Sequence, residues 1–365
     1  ATCLFNRNDM VSRILHETGA ISSRLAALSL LFSSALVSPA LADSLFEDDA
    51  VLELRLSGPL RTVVRARKAN DPEEHPFILT IGDTEIAVDV RVRGKSRKKV
   101  CSFPPLRLDF SPDQTGGTVF EGQNKIKLVT HCRSNRDDFE NNLLEEYTAY
   151  RIFNQISDVS YRVRLLRIQY EDTEGKLKDL DRPYYAFLIE SDIELAQRTG
   201  SSVAKVQGVP YSRLNDEQTA RFYVFQYLVG NFDWSYVVAD GAETCCHNVD
   251  LLEKDGALYP VAYDFDMSGI VNASYTQVPG GIGIRRATQR VYRGYCKLEM
   301  EKLAAAFDEI VALRDDIMQL VRNSPVTGDE DTSSRERFIG HFFELAIEDR
   351  DEILEEFDSD CLGPY

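Results

Sequence analysis

The chain has 365 residues, 43% of them hydrophobic, with 42 Lys and Arg against 59 Asp and Glu for a formal net charge of −17. That length and apolar content suit one large domain or two lobes with a full buried core, and they exclude a chain that is disordered throughout. The acidic balance argues against nonspecific nucleic-acid binding, which needs clustered Lys and Arg on the phosphates, and against attraction to anionic lipid.

Residues 1–42 read as upstream sequence and a signal peptide. Arg13 and Arg24 precede an apolar run over 25–41 that is short for a membrane span and closes on Ala40-Leu41-Ala42, a small-residue cleavage pattern. Met10 is read as the start of this leader, with cleavage before Asp43; an uncleaved anchor is the alternative. Residues 1–42 carry three Arg against two acids, so the mature chain has a charge of −17 − 1 = −18. No membrane span is expected after cleavage. Export takes the chain to a secreted or periplasmic, oxidising setting, where the six remaining cysteines, Cys101, Cys132, Cys245, Cys246, Cys296 and Cys361, point to disulfides of open pairing. The rival is a metal site of Cys245, Cys246, His247 and Cys296, although adjacent cysteines lack the spacing that zinc sites prefer.

From 51 to 110 the apolar residues alternate, over 51–56, 77–81 and 86–93 and again over 106–110, as antiparallel strands with one buried face do. Between the last two lies a basic turn, Arg93-Gly94-Lys95-Ser96-Arg97-Lys98-Lys99. Backbone amides and cations in such a turn can cradle phosphates; a solvated turn is the bland alternative. Residues 124–130 form a further strand carrying Lys125 and Lys127. A long helix follows over 137–156, with Phe139, Leu143, Tyr147, Tyr150 and Phe153 as its buried stripe. Glu146 falls inside that arc and Glu145 outside it. A buried acid needs a partner, for which Lys127 is the candidate and Lys125 the runner-up. Strands over 161–170 and 184–189 complete a sheet-plus-one-helix lobe.

The remainder reads as mostly helical, over 194–198, 216–229, 298–322 and 335–357. Within it, Gly230 stops a helix and leaves Asp233 in a loop. Asn248 opens a strand that turns at Asp255-Gly256 and returns to Tyr263-Asp264-Phe265-Asp266, a hairpin with a strong turn signal. A loop acid, an Asn before a hairpin and an Asp-Phe after it is the order used by protein kinases. There the Asp takes the substrate hydroxyl proton, and the Asn and second Asp hold magnesium on the nucleotide phosphates. An Asp-rich turn region is the alternative. Further on, Arg285, Arg286, Arg290 and Arg293 form a basic cluster that reads either as surface ion pairing or as an anion clamp.

These motifs together, Arg93-Gly94-Lys95-Ser96, Lys127-Leu128-Val129, Asn142 to Tyr147, Asn231-Phe232-Asp233-Trp234, His247-Asn248 and Asp264-Phe265-Asp266, resemble the CotH kinase family of secreted bacterial kinase-like proteins. One departure is the long insertion between Asp233 and Asn248, which bears on the metal role of Asn248. The resemblance implies an α+β, divergent bilobal protein-kinase-like fold. Its β-rich nucleotide-binding lobe with one long helix would span 43–190, and a mostly helical lobe carrying the catalytic and metal loops 191–365. It also implies ATP and Mg2+ or Mn2+ as cofactors, with Asp233, Lys127 and Glu146 catalytic. Arg93, Gly94, Ser96 and Lys127 would bind nucleotide, and Asp264, Asn248 and Asp266 metal. The activity expected is γ-phosphoryl transfer to a hydroxyl of an unknown secreted or envelope protein; an AMP transferase would use the same residues, and a pseudokinase would keep the fold, although the presence of Lys127, Asp233, Asn248 and Asp264 argues against it.

Overall fold

The computed structural model describes residues 45–236, 245–329 and 332–363. The expected leader over 1–42, with its cleavage point, and residues 237–244 of the insertion lie outside the described residues. The first half of the described chain runs β1 (Leu52–Gly58), α1 (Leu60–Arg65), β2 (His75–Ile81), β3 (Thr84–Val92), α2 (Arg97–Val100), β4 (Leu106–Phe110) and β5 (Lys125–Val129). It continues as α3 (Asp137–Ile156), β6 (Val163–Asp172), β7 (Tyr184–Ile189) and α4 (Asp192–Thr199). The second half is β8 (Ser202–Val203), α5 (Asp216–Leu228), β9 (Val249–Lys254), β10 (Ala257–Ala262), α6 (Met300–Ala312), α7 (Arg314–Asn323), α8 (Ser333–Glu348) and α9 (Arg350–Ser359).

The chain does not form the bilobal kinase-like arrangement expected from its sequence. Strands β1 to β7 close into a barrel in the order β1-β2-β3-β4-β5-β7-β6, in which β1 and β6 run parallel and every other neighbour is antiparallel. Closure pairs the backbone groups that an open sheet would leave along its two edges. The helices are not a separate lobe either. One cluster of buried side chains runs from Val129 on β5 through α3, β6 and β7 to Phe307, Phe342 and Phe357 on the last helices. The alternation along the strands serves two cores at once. In β5, Ile126 and Leu128 point into the barrel with Leu56, Leu79, Val90 and Leu188, while Val129 and the half-buried Lys127 point out toward α3. Short helix α1, absent from the sequence reading, adds Leu60 and Val63 to the barrel's interior core.

Two local features set the site. The hairpin β9–β10 pairs Val249 with Ala262, so that Asn248 and Asp264 emerge at the same open end. Helix α5 begins at Asn215, whose side chain accepts the Gln218 N–H, and stops at Gly230, whose φ of +64° favours glycine. A Cβ at Gly230 would stand 2.9 Å from the Phe338 ring. The chain therefore turns away from the helix axis into the loop carrying Asp233. The expected run over 298–322 divides into α6 and α7 at Leu313.

Candidate active site

A cleft opens where the basic turn after β3 meets β5, α3 and the end of β10. Its wall includes Arg93, Gly94, Ser96, Arg97, Lys127, Glu146, Tyr150, Tyr263 and Asp264. The turn is held at one end by the Arg93 N–H donating to Pro105 O at 2.9 Å. Gly94 has φ +89°, and nothing lies within 4 Å of where its Cβ would be, so the backbone there borders open space. Among the described residues neither Arg93 nor Lys127 forms an ion pair. Lys127 Nζ stands 5.4 Å from the ring centroids of both Tyr161 and Tyr263. Burial pulls the Lys127 ammonium below its ordinary pKa, and the neighbouring Arg93 charge pulls it further. Burial likewise lowers Arg93, opposed by Asp264. Two partly desolvated cations that repel each other make a receptive place for an anion.

Glu146 is buried, at 1% exposure, but its partner is Arg97 and not Lys127. Lys125, the runner-up, stands 3.4 Å from Asp109. Arg97, brought in by α2, spans three acids: Nη2 meets Glu146 Oε2 at 2.7 Å and Asp264 Oδ1 at 3.0 Å, and Nε meets Asp266 Oδ2 at 2.8 Å. Burial works against the Arg97 cation, yet Asp266, Glu146 and Asp264 outweigh it and hold the pKa well above the ordinary value. Burial in turn drives Glu146 and Asp266 above the usual carboxylate range, with Arg97 opposing it in both. Asp266 is buried, and its Oδ2 also accepts the Tyr275 hydroxyl at 3.2 Å. Asp264 keeps a partly exposed side chain, and its backbone N–H donates to the Tyr150 hydroxyl at 2.9 Å.

Asp233 lies beside this cleft in a second cluster. His247 Nε2 stands 3.0 Å from its Oδ1, and Asn248 Nδ2 donates to its Oδ2 at 3.1 Å and to its carbonyl at 2.7 Å. A two-way backbone bridge between Ser235 and His247 holds the loop against the hairpin. With its amide nitrogen turned to Asp233, Asn248 has its Oδ1 available as an acceptor. Asn248 and Asp264 both adopt left-handed backbone, φ +52° and +61°, and are linked by Tyr263 N–H donating to Asn248 O at 3.3 Å. Such conformations cost energy in residues with side chains and cluster at functional sites. Among the described residues no three His, Cys, Asp or Glu groups form a metal-holding set. A small hard cation at Asp264 and Asn248 would draw its other ligands from phosphates and water, as magnesium commonly does.

The sequence reading gave Arg97 and Tyr275 no place in the site, held Tyr150 to the buried stripe, and offered His247 only as a ligand of the rival metal site. Arg97 was one of five cations in one turn, and no spacing distinguishes the one that turns inward. The basic cluster after Asp266 is neither surface pairing nor clamp at Arg290, whose Nη2 bonds Leu228 O at 3.1 Å and Phe338 O at 2.6 Å and whose guanidinium lies 4.1 Å from the Phe338 ring centroid. The cysteines stand at disulfide distance as Cys101–Cys132, Cys245–Cys246 and Cys296–Cys361, so Cys296 takes no part in a metal site with His247. Among the described residues no helix is long and apolar enough to cross a membrane.

No family model matches the chain, and no curated protein matches it. The resemblance to CotH kinases therefore rests on the quoted motifs alone. Among solved structures the chain is similar to the crystal structure of a Helicobacter pylori proinflammatory kinase, CtkA. The two are 8% identical with a TM-score of 0.34, over 80% of this chain and 92% of that one, a likeness too low to carry an argument.

Proposed function

We propose that the chain is an exported, ATP-dependent phosphotransferase that moves the γ-phosphoryl group to a hydroxyl of a protein substrate, with Mg2+ or Mn2+. The observation that carries the reading is the pair of cations that have no carboxylate partner among the described residues, Arg93 and Lys127, facing the same cleft as Asp264. Triphosphate oxygens would occupy the space between them, with the Gly94 backbone offering close approach. Asp264 and Asn248 would hold the divalent ion, which when bound neutralises charge on the β- and γ-phosphates. Asp233, oriented by His247 and Asn248, would accept the substrate's hydroxyl proton. The hydroxyl oxygen forms the new bond to the γ-phosphorus as the bond to the bridging oxygen breaks, and ADP leaves. The three cysteine pairs at disulfide distance support an oxidising destination.

The test is γ-labelled ATP and, in parallel, α-labelled ATP, each with Mg2+ or Mn2+ and a periplasmic or secreted extract, followed by mass analysis of the labelled protein. The expected results are a phosphoryl adduct for the native chain and at least about tenfold weaker ATP binding for Lys127→Ala, whose cation would face the phosphates. Asp233→Asn should bind ATP and transfer nothing, because a base acts only in the reaction step. An AMP adduct would replace phosphoryl transfer by nucleotidyl transfer. ATP binding without any transfer, in every extract, would make the chain a binding module.

A further inference from the structure

We propose that Arg97 is the resident counter-ion of the Asp264 and Asp266 carboxylates and competes with a divalent metal ion for Asp264, so that metal is held firmly only together with nucleotide. The inference rests on the phosphotransfer reading above. One guanidinium meets three carboxylates, at 2.7, 3.0 and 2.8 Å. Glu146 and Asp266 are only 2% and 5% exposed, so water cannot screen them, and Arg97 is the cation in contact with both. Asp264, at 37%, is the one acid of the three that an ion can approach, and its Oδ1 is already engaged by Arg97. An ion arriving alone must either sit beside a positive charge or displace it. An ion arriving with triphosphate brings anionic oxygens that offset the Arg97 charge. Lys127, the cation expected to stand against Glu146, has no carboxylate partner among the described residues and faces the cleft where those oxygens would lie.

A purely structural role for Arg97 predicts the opposite response to its removal. Metal affinity should fall if Arg97 only positions Asp264, and rise if Arg97 competes. The experiment titrates the full chain with Mn2+, with and without ATP, following the free-ion electron paramagnetic resonance signal. Arg97→Gln should bind Mn2+ alone at least about tenfold more tightly than the native chain, since a neighbouring like charge is gone. Arg97→Lys should stay near the native value. Should Arg97→Gln fail to melt cooperatively, the double variant Arg97→Gln with Glu146→Gln is read the same way, because it removes the buried cation together with one of its anions. Unchanged or weaker Mn2+ binding in the neutral variant overturns the proposal. Native chain that binds Mn2+ with ATP but shows no gain on losing Arg97 sinks this inference alone. Native chain that binds Mn2+ in neither condition sinks the phosphotransfer reading and this inference with it.

Discussion

Replacing Arg97 by Met should destabilise the chain far more than replacing Glu146 by Gln, and the difference should grow with pH. Arg97→Met leaves three carboxylates facing one another, two of them almost out of water. Removing one member of a buried ion pair costs about 3–5 kcal/mol because the other charge remains buried and uncompensated. Glu146→Gln removes one anion and leaves Arg97 bonded to Asp264 and Asp266. The loss is one charge-assisted hydrogen bond, about 1.5–3 kcal/mol, reduced by relief of the desolvation that raises the Glu146 pKa. Burial pushes the folded-state pKa of Glu146 up to about 7 and that of Asp266 to about 6, both above their ordinary values of 4.5 and 3.8. The folded chain therefore holds extra protons between those limits. The stability these two groups contribute is full below their ordinary values and is lost as pH rises through the folded ones. At pH 5 the acids are largely neutral and hardly need Arg97; at pH 8 they are charged and do. Urea denaturation followed by circular dichroism at both pH values reads the difference. Equal costs for the two variants, or a cost for Arg97→Met that does not grow from pH 5 to pH 8, would refute the view of Arg97 as the hub of this cluster.

Three further outcomes test other parts of the fold. The Cys101–Cys132 bridge closes a separation of 31 residues and ties the end of α2 to the connection between β5 and α3, so Cys101→Ser with Cys132→Ser should cost about 3–4 kcal/mol by chain entropy. Thiol titration of the oxidised chain from residue 43 onward should find no more than one free thiol, and four or more would rule out the pairings. His131 is buried against Tyr184, their rings 3.9 Å apart, and burial lowers its pKa to about 3. Its stabilising contribution is full above its ordinary pKa of 6.5 and is lost as pH falls toward 3. His131→Phe should therefore recover about 3 kcal/mol of the stability lost between pH 7 and pH 4; an unchanged acid response would mean that the ring is not held neutral.

Much of the chain is legible in its residues because local periodicity is a local property. The alternation in β1 to β5, the stripe of α3, the Asp-Gly hairpin and the glycine stop before Asp233 follow from neighbours a few positions apart. So does the burial of Glu146, which its place in the helical arc dictates. What the tertiary structure decided is everything that depends on partners distant in the chain. The pairing of β1 with β6, which closes the barrel and removes the expected pair of lobes, joins strands far apart in sequence, and alternation is the same for an open sheet and a closed one. The partner of Glu146 was likewise beyond reach. Lys125, Lys127, Arg93 and Arg97 all carry the needed charge, and the short helix α2 turns Arg97 inward while the strand pleat keeps Lys127 in the cleft. Charge says that a buried acid needs a cation; only the path of the backbone says which one arrives.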